Sequence, residues 1–374
     1  MPIETVKWTH PQQTQALVVQ VVNTFDPAHL EVAMEPSGTY GDSLRWLLVN
    51  AGASVFWISP KRVHDAAEVY DGVPSLHDAK AAYLIGRLHL EGASQAWLEP
   101  SPQRRALSAQ LNLLQMYKAR ERASINRLEA QLSRHWPEVI RVLEPGSVTL
   151  VRLLATYGDA AQVSAQREAA RALMHRTGRG ALRDERIEQL LASAEHTLGL
   201  PCVEAERHLL QALAQDLLDT REKLHGLEQD LQRQVCADAT LVCMAAVVGE
   251  TSSSVLVAAQ GVPQNYPDAT SYLKSMGLNL KERSSGKHKG QLKITKRGPG
   301  VARYYLYYAV LRWINKDPVI QSWYQRKVQR DGGLKGKAIV ALMRKFAKAL
   351  WYVAQGAPFD PRKLVNIQGL EIAA

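Results

Sequence analysis

Leu210-Gln-Ala-Leu-Ala-Gln-Asp-Leu-Leu-Asp-Thr-Arg-Glu-Lys-Leu-His-Gly-Leu-Glu-Gln-Asp-Leu231 decides the fold class of the middle of this chain. Leu210, Leu213, Leu217, Thr220, Leu224, Leu227 and Leu231 recur in alternating steps of three and four with charged residues between them, which lays one apolar seam along a long helix. A second seam runs through Leu111, Leu114, Lys118, Glu121, Ile125, Leu128 and Leu132, with polar residues at its centre. Two such seams satisfy each other either as a hairpin within one chain or as a coiled coil between chains, and the pattern leaves both open. Gly178-Arg179-Gly180 and Gly199-Leu-Pro201 separate shorter helices between them.

Towards the N-terminus the periodicity changes. Gln12 to Phe25 and Ser43 to Asn50 have helical spacing, whereas His29 to Met34 and Ser54 to Ile58 read as short buried strands, so this part is α/β. Towards the C-terminus, Leu241 to Ala259 is small and apolar, interrupted at Gly249, and Leu241 to Val248 reads as a buried core segment. Three regions follow: residues 1–100 α/β, 101–236 helical and 237–374 mainly α-helical.

The 374 residues carry a net charge of +10, with a pI near 9.4, which favours a polyanionic partner, nucleic acid before a membrane surface. No apolar run reaches the roughly 18 residues that a span requires, and Met1 to His10 has no secretory pattern. Cys202, Cys236 and Cys243 are odd in number and contain no C-x-x-C pair, so buried thiols are expected rather than a disulfide framework or a zinc knuckle. The charge is concentrated. Between Lys281 and Gly300 seven residues are Lys or Arg, against the single acid Glu282.

Three constellations have chemistry in reach. Glu35, in Met34-Glu-Pro-Ser-Gly38, ends a predicted strand beside a turn, where a carboxylate either lies exposed or helps to hold a divalent cation. Asp78, in Ser75-Leu-His-Asp78-Ala-Lys80, opens a helix running to about His89, as a first-turn acid or as a metal carboxylate facing Glu35; His77 reads as a surface residue. Arg283-Ser284-Ser285-Gly286-Lys287 puts hydroxyls on a flexible basic loop, able to attack a phosphodiester or only to hydrogen-bond a phosphate. Arg283, Lys287, Lys289, Lys293, Lys296 and Arg297 are the candidate nucleic-acid contacts, and Gly298-Pro-Gly300 offers backbone N–H groups to a phosphate at the start of an aromatic helix, Val301 to Ile314. Tyr304, Tyr305, Tyr307 and Tyr308 are read as packing rather than catalytic, because neighbours on a helix point apart. Lys335 to Trp351 reads as an amphipathic basic helix with Phe346 and Trp351 in the core.

The order Gly277-Leu, Arg283-Ser-Ser-Gly, Gly290, Ile294-Thr-Lys-Arg-Gly298, Trp323-Tyr324-x-x-Lys327, Lys337-Ala-Ile-Val-Ala-Leu-Met-Arg-Lys345, Ala349-Leu-Trp351 and Phe359-Asp360 resembles the second domain of insertion-sequence transposases of the IS-one-ten type. Met34-Glu-Pro-Ser-Gly38 and His77-Asp-Ala79 are similar to that family's RuvC-like, RNase-H-like first domain. The resemblance implies a DNA transposase or recombinase that cleaves and rejoins strands by Mg²⁺-assisted serine attack. Its nucleophile would be Ser284 or Ser285, and Glu35 and Asp78 would be the second and fourth of four metal-holding acids. It also implies DNA and a guide RNA as partners, a homo-oligomer through the helical region, and a cytoplasmic, nucleoid-associated location. The third acid's position is Ser75, with Asp71 as a nearby substitute; the first acid, an Asp on the first strand of the family's sheet, has no counterpart, since no Asp precedes Asp26 and Thr5-Val-Lys-Trp8 looks like the family's third strand. The alternative expectation is therefore an N-terminally truncated, catalytically impaired remnant that only binds nucleic acid. A Pro-Gly-x-Gly hairpin of the relatives is reduced here to Gly249.

Overall fold

The computed structural model describes residues 6–36, 38–178, 180–235, 238–285 and 288–365, and gives the backbone alone for residues 234, 235, 283–285, 288, 289 and 291. It is predominantly helical with few strands. The chain divides into two compact units, Met1–Ser101 and Pro102–Ala374.

The first unit runs α1 (Thr14–Thr24), β1 (Glu31–Met34), α2 (Asp42–Asn50), β2 (Ser54–Trp57), α3 (Pro60–Asp71), α4 (Asp78–Leu90) and β3 (Gln95–Ala96). β1 and β2 are parallel, with Val32 opposite Val55 and Met34 opposite Trp57, and β3 closes antiparallel on β2. Alternation along β1 sorts the helices onto two faces: Val32 and Met34 pack with Val18 of α1 and Leu48 of α2, while Ala33 packs with Val63 of α3 and Leu84 of α4. The expected strands and helices thus form an α/β/α sandwich. The strand expected at Thr5 to Trp8 is absent over its described residues, where Val6 and Trp8 are exposed and unpaired with the sheet.

The second unit opens with α5 (Pro102–His135). It continues through α6 (Val139–Val142), α7 (Val148–Tyr157), α8 (Ala160–Ala165), α9 (Arg167–Gly178) and α10 (Asp184–Glu195), and returns along α11 (Glu204–Val235). Arg179, in the expected turn after α9, lies outside the described residues. The two seams meet each other within the chain. Arg134 pairs with Glu206 at 2.9 Å, Arg221 with Glu121 at 2.9 Å, and Lys118 with Glu228 at 3.5 Å, so higher numbers on α11 face lower numbers on α5 and the pair is antiparallel. Leu111, Leu114, Leu128 and Leu132 are buried against Leu210, Leu217, Leu224 and Leu231. Lys118 and Glu121, the polar centre of one seam, each take an opposite charge on the other helix; a one-heptad slip would break both cross-helix pairs and leave only their mutual contact at 3.8 Å. Hairpin is the arrangement of this chain, and the shorter helices α6 to α10 pack around Trp136, Leu153 and Leu190 at its closed end.

The remaining elements are α12 (Ala239–Val248), α13 (Glu250–Gln260), α14 (Ala269–Ser275), β4 (Leu280–Ser285), β5 (His288–Ile294), α15 (Gly300–Lys316), α16 (Pro318–Arg330), α17 (Lys335–Ala354) and α18 (Pro361–Leu364). Their core is Met244, Tyr272, Leu306, Leu342 and Phe346, and it is joined to the hairpin where Val255 of α13 and Tyr305 of α15 pack on Leu114 and Leu224. No helix among the described residues is long and apolar enough to cross a membrane.

Several local expectations change. Leu241 to Val248 is buried on one face only: Leu241, Met244, Val247 and Val248 are buried but Val242 and Cys243 are exposed. Cys202 is half-buried, and burial pushes its thiol up to about 11; Cys236 lies outside the described residues. Trp351 is half-buried, its indole N–H donating to the Tyr266 carbonyl at 3.0 Å, while Phe346 is fully buried. Tyr305 is buried as packing predicts, whereas Tyr304 and Tyr308 stay exposed.

Leu217 is fully buried in the seam. Leu217→Ala is expected to lower the unfolding free energy by about 2–5 kcal/mol in urea titrations followed by circular dichroism. An intramolecular seam further requires the midpoint to be independent of protein concentration, whereas a seam between chains would shift it.

Candidate nucleic-acid interface

Glu35 stands immediately after β1, half-buried at the C-terminal edge of the small sheet. Asp78 is the first residue of α4 and is exposed. The His89 ring, near the far end of α4, hydrogen-bonds Glu31 at the start of β1 at 3.0 Å, so α4 runs antiparallel to β1. From His89 back to Asp78 the helix rises roughly 17 Å, and from Glu31 to Glu35 the chain advances roughly 13 Å. Asp78 therefore falls towards the same sheet edge as Glu35. His77, read as a surface residue, is the N-cap of α4: its Nδ1 accepts from the Lys80 amide at 3.3 Å.

The other carboxylate considered for this edge is committed elsewhere. Lys80 is a buried lysine, and its three ammonium protons have three acceptors: Asp71 Oδ1 at 2.7 Å, the Val73 carbonyl at 2.7 Å and the Ser75 carbonyl at 3.1 Å. Asp71 also accepts from the Val73 amide at 2.9 Å. Ser75, at the position of the expected third acid, thus contributes a backbone oxygen to a lysine, and Asp71 is locked to the same ammonium. Among the described residues no three His, Cys, Asp or Glu side chains are grouped to hold a metal ion. Mg²⁺ needs an octahedron of oxygens, of which one or two carboxylates are only a part. Glu35 and Asp78 by themselves do not complete such a site.

The Lys80 ammonium, with the Val73 amide, holds the Asp71 carboxyl below its ordinary value of 3.8. A depressed folded pKa contributes stability that is complete above the unfolded value and is lost as pH falls through the folded one. Asp71→Asn is accordingly expected to remove part of the acid sensitivity of the first unit below about pH 4. Denaturation midpoints of the two proteins compared from neutral to acid pH measure this. Equal acid slopes would show that the pair does not bear on stability.

The serine segment is a two-stranded ribbon, not the expected flexible loop. β4 and β5 pair antiparallel from Leu280 opposite Ile294 to Ser285 opposite His288. The register shifts between Arg283 and Ser285, an irregularity of the kind that re-aims a strand near its end. Ser284 and Ser285 therefore stand at the tip of the ribbon. Their side chains, those of Arg283 and Lys289, and Lys287 as a whole lie outside the described residues.

At its base the ribbon is tied to the helical core by backbone contact. The Thr295 amide donates to the Asn279 carbonyl and the Lys296 amide to the Gly277 carbonyl, both at 2.9 Å. Lys296 is held at φ +56°, a left-handed conformation that costs a lysine about 1 kcal/mol. The two segments cross so closely that a Cβ on Gly298 would lie 2.1 Å from the Ser275 carbonyl oxygen, and one on Gly277 2.6 Å from the Arg297 nitrogen. Arg303 seals the crossing by donating to the Met276 carbonyl at 3.0 Å and the Gly298 carbonyl at 2.9 Å, and Arg344 donates to the Leu278 carbonyl at 3.0 Å. Gly277 and Gly298, two glycines of the ordered pattern, are required by this approach. Gly298→Ala is expected to cost about 1–3 kcal/mol and to make the ribbon the first site of proteolysis, read by limited digestion. An unchanged digestion pattern would mean that the crossing relaxes without cost.

Lys281 and Lys293 sit directly opposite each other on the ribbon, an arrangement of like charges that destabilises a strand pair in isolation. Lys281, Lys293, Lys296 and Arg297 are exposed and make no ion pair among the described residues. A cleft of about 680 Å³ separates the ribbon from α17. Lys281, Lys293 and Lys296 line one side, and Lys327 of α16 with Lys337 and Arg344 of α17 line the other. Asp331 takes one of these charges, Lys327, and that ammonium holds its carboxyl below the ordinary range. α15 and α17 begin with no side-chain cap and no acid in the first turn, whereas α16 is capped by Asp317. Lys327, Lys337 and Arg344 were not among the contacts expected. The four-residue spacing of Lys337, Val340 or Ala341, and Arg344 signalled one helical face, but not that this face meets the ribbon.

The described residues thus offer two sets: Glu35 after β1 and Asp78 at the start of α4 in the first unit, and the serine tip with its basic base in the second. Residues 239–325, from α12 into α16 and including the whole ribbon, match the family model described as Transposase IS116/IS110/IS902 family. The match supports an insertion-sequence transposase of that type. No curated protein matches the chain.

Proposed function

We propose that this chain is an insertion-sequence transposase that holds DNA against the ribbon and α17, with Ser284 or Ser285 presented to the sugar–phosphate backbone. The observation that carries the reading is the concentration of exposed, unpaired cations on and around a ribbon that lies within the matched segment. Phosphates relieve the repulsion of Lys281 for Lys293, and the counterions they release add a favourable entropy. In the strand-cleaving step the serine oxygen attacks phosphorus, the bond from phosphorus to one sugar oxygen breaks, the serine proton leaves to solvent and the sugar alkoxide is protonated. A phosphoserine link forms, which a sugar hydroxyl can later reverse. The first unit is read as the RuvC-like partner of this module, but no step is routed through Mg²⁺, because Glu35 and Asp78 do not complete its site.

A second reading, nucleic-acid binding without strand transfer, is favoured by one specific observation: Lys80 occupies Asp71 and the Ser75 carbonyl where further acids are needed. The two readings separate in a gel assay for covalent protein–DNA adducts with Mg²⁺ present. Strand transfer predicts adducts that Ser284→Ala or Ser285→Ala abolishes while binding survives; absence of adducts from the unmutated chain selects the second reading. Both predict that DNA affinity falls on the order of 10³-fold between about 50 and 200 mM salt, for about six phosphate contacts. Flat salt dependence in fluorescence anisotropy would sink both. Repeating the titration with a structured RNA tests the guide-RNA partner that the resemblance implies, and sedimentation of the complex tests the homo-oligomer.

A further inference from the structure

We infer that the cleft between the ribbon and α17 takes an unpaired nucleic-acid strand, with its phosphates on the rim lysines and its bases against an aliphatic floor. This rests on the DNA-binding reading above and goes beyond it by naming the form of the substrate.

Rim and floor differ in chemistry. The rim is cationic, and Lys281, Lys293 and Lys337 make no ion pair among the described residues. The floor is aliphatic: Leu280, Leu292 and Ile294 from the ribbon face Val340 and Ala341 from α17. Leu292 is 58% exposed and Leu280 38%, apolar area left open in the most basic part of the chain. Register explains the separation. Leu280, Ile294 and Leu292 share the ribbon face that lines the floor, whereas the Lys281–Lys293 pair between them alternates to the other face and borders the cleft only at its edge, so Lys296 and Lys337 carry the rest of the cationic rim.

A duplex fits this division poorly. Its bases are stacked inside and its outer surface is charged backbone, so Leu292 and Val340 would be left against phosphate and water. An unpaired strand presents both chemistries at once, a charged backbone and free base faces. The volume of about 680 Å³ lies in the range of pockets that bury a small molecule, which suits individual nucleotides. No aromatic ring among the described residues lines the cleft, so bases would pack on aliphatic side chains without stacking, and sequence preference should be weak.

The test uses the full chain, a labelled single strand of about 16 nucleotides without self-complementarity, and the same sequence as a duplex. Leu292→Asn changes no charge at an exposed position, and Val340→Gln makes the corresponding change on the opposite wall. Each is expected to weaken single-strand binding on the order of tenfold and duplex binding by less than about twofold. Lys337→Gln is expected to weaken both forms. Circular dichroism confirms that each variant is folded. The inference is overturned if Leu292→Asn leaves single-strand affinity unchanged, if it weakens both forms equally, or if the unmutated chain binds duplex and not the single strand. Those outcomes leave DNA binding standing. Failure of the unmutated chain to bind either form would remove the DNA-binding reading as well.

Discussion

The antiparallel closure of α5 on α11 is the constraint on which the second unit depends. More than sixty residues of chain leave the end of one helix and return along the other, and only a seam with a defined register brings them back in the right place. Leucines alone would tolerate a slip by a heptad. The opposite charges at its centre, Lys118 with Glu228 and Glu121 with Arg221, do not. The same seam continues into Val255 and Tyr305, so the core of the helices behind the ribbon is joined directly to the hairpin.

On that mount the ribbon is placed by backbone rather than by side-chain packing. Two glycines permit a crossing that no other residue could enter, two arginines spend their hydrogen bonds on its carbonyls, and one lysine is held in an unfavourable conformation. Strain of this sort persists where the surrounding structure over-determines it, and it is found where a segment must be presented in a set direction. The arrangement leaves the lysines out of structural work. Their mutual repulsion is unrelieved in the chain by itself, which makes a polyanion part of the electrostatic balance of this surface.

The first unit shows the opposite economy. Its one buried ammonium is saturated by a carboxylate and two carbonyls, so the α3–α4 connection is a closed internal ion pair. A loop that satisfies its charges internally holds its shape without a ligand. That separates the two halves of the expected site physically: one is built to meet an external charge, the other is neutralised from within.

Periodicity made the secondary structure legible. The seams of α5 and α11, the strands at Glu31–Met34 and Ser54–Trp57 and the break at Gly249 follow from spacings of 3.6 and 2 that local sterics enforce. The basic segment was legible from composition, but its ribbon was not, because Lys-rich and Gly-containing text around Ser284 gives no alternation that separates a strand from a loop. Asp71 shows the same limit from the side of charge. Its availability as a metal ligand was undecidable until Lys80, nine positions on, was seen to be buried against it. By itself the sequence determined the long helical seams, the two parallel strands and where the positive charge lies, since these depend on neighbours along the chain. Only the tertiary structure decided that the seams pair with each other, that α17 faces the ribbon across a cleft and that the spare carboxylate is taken, since each depends on which distant groups compete for the same space or proton.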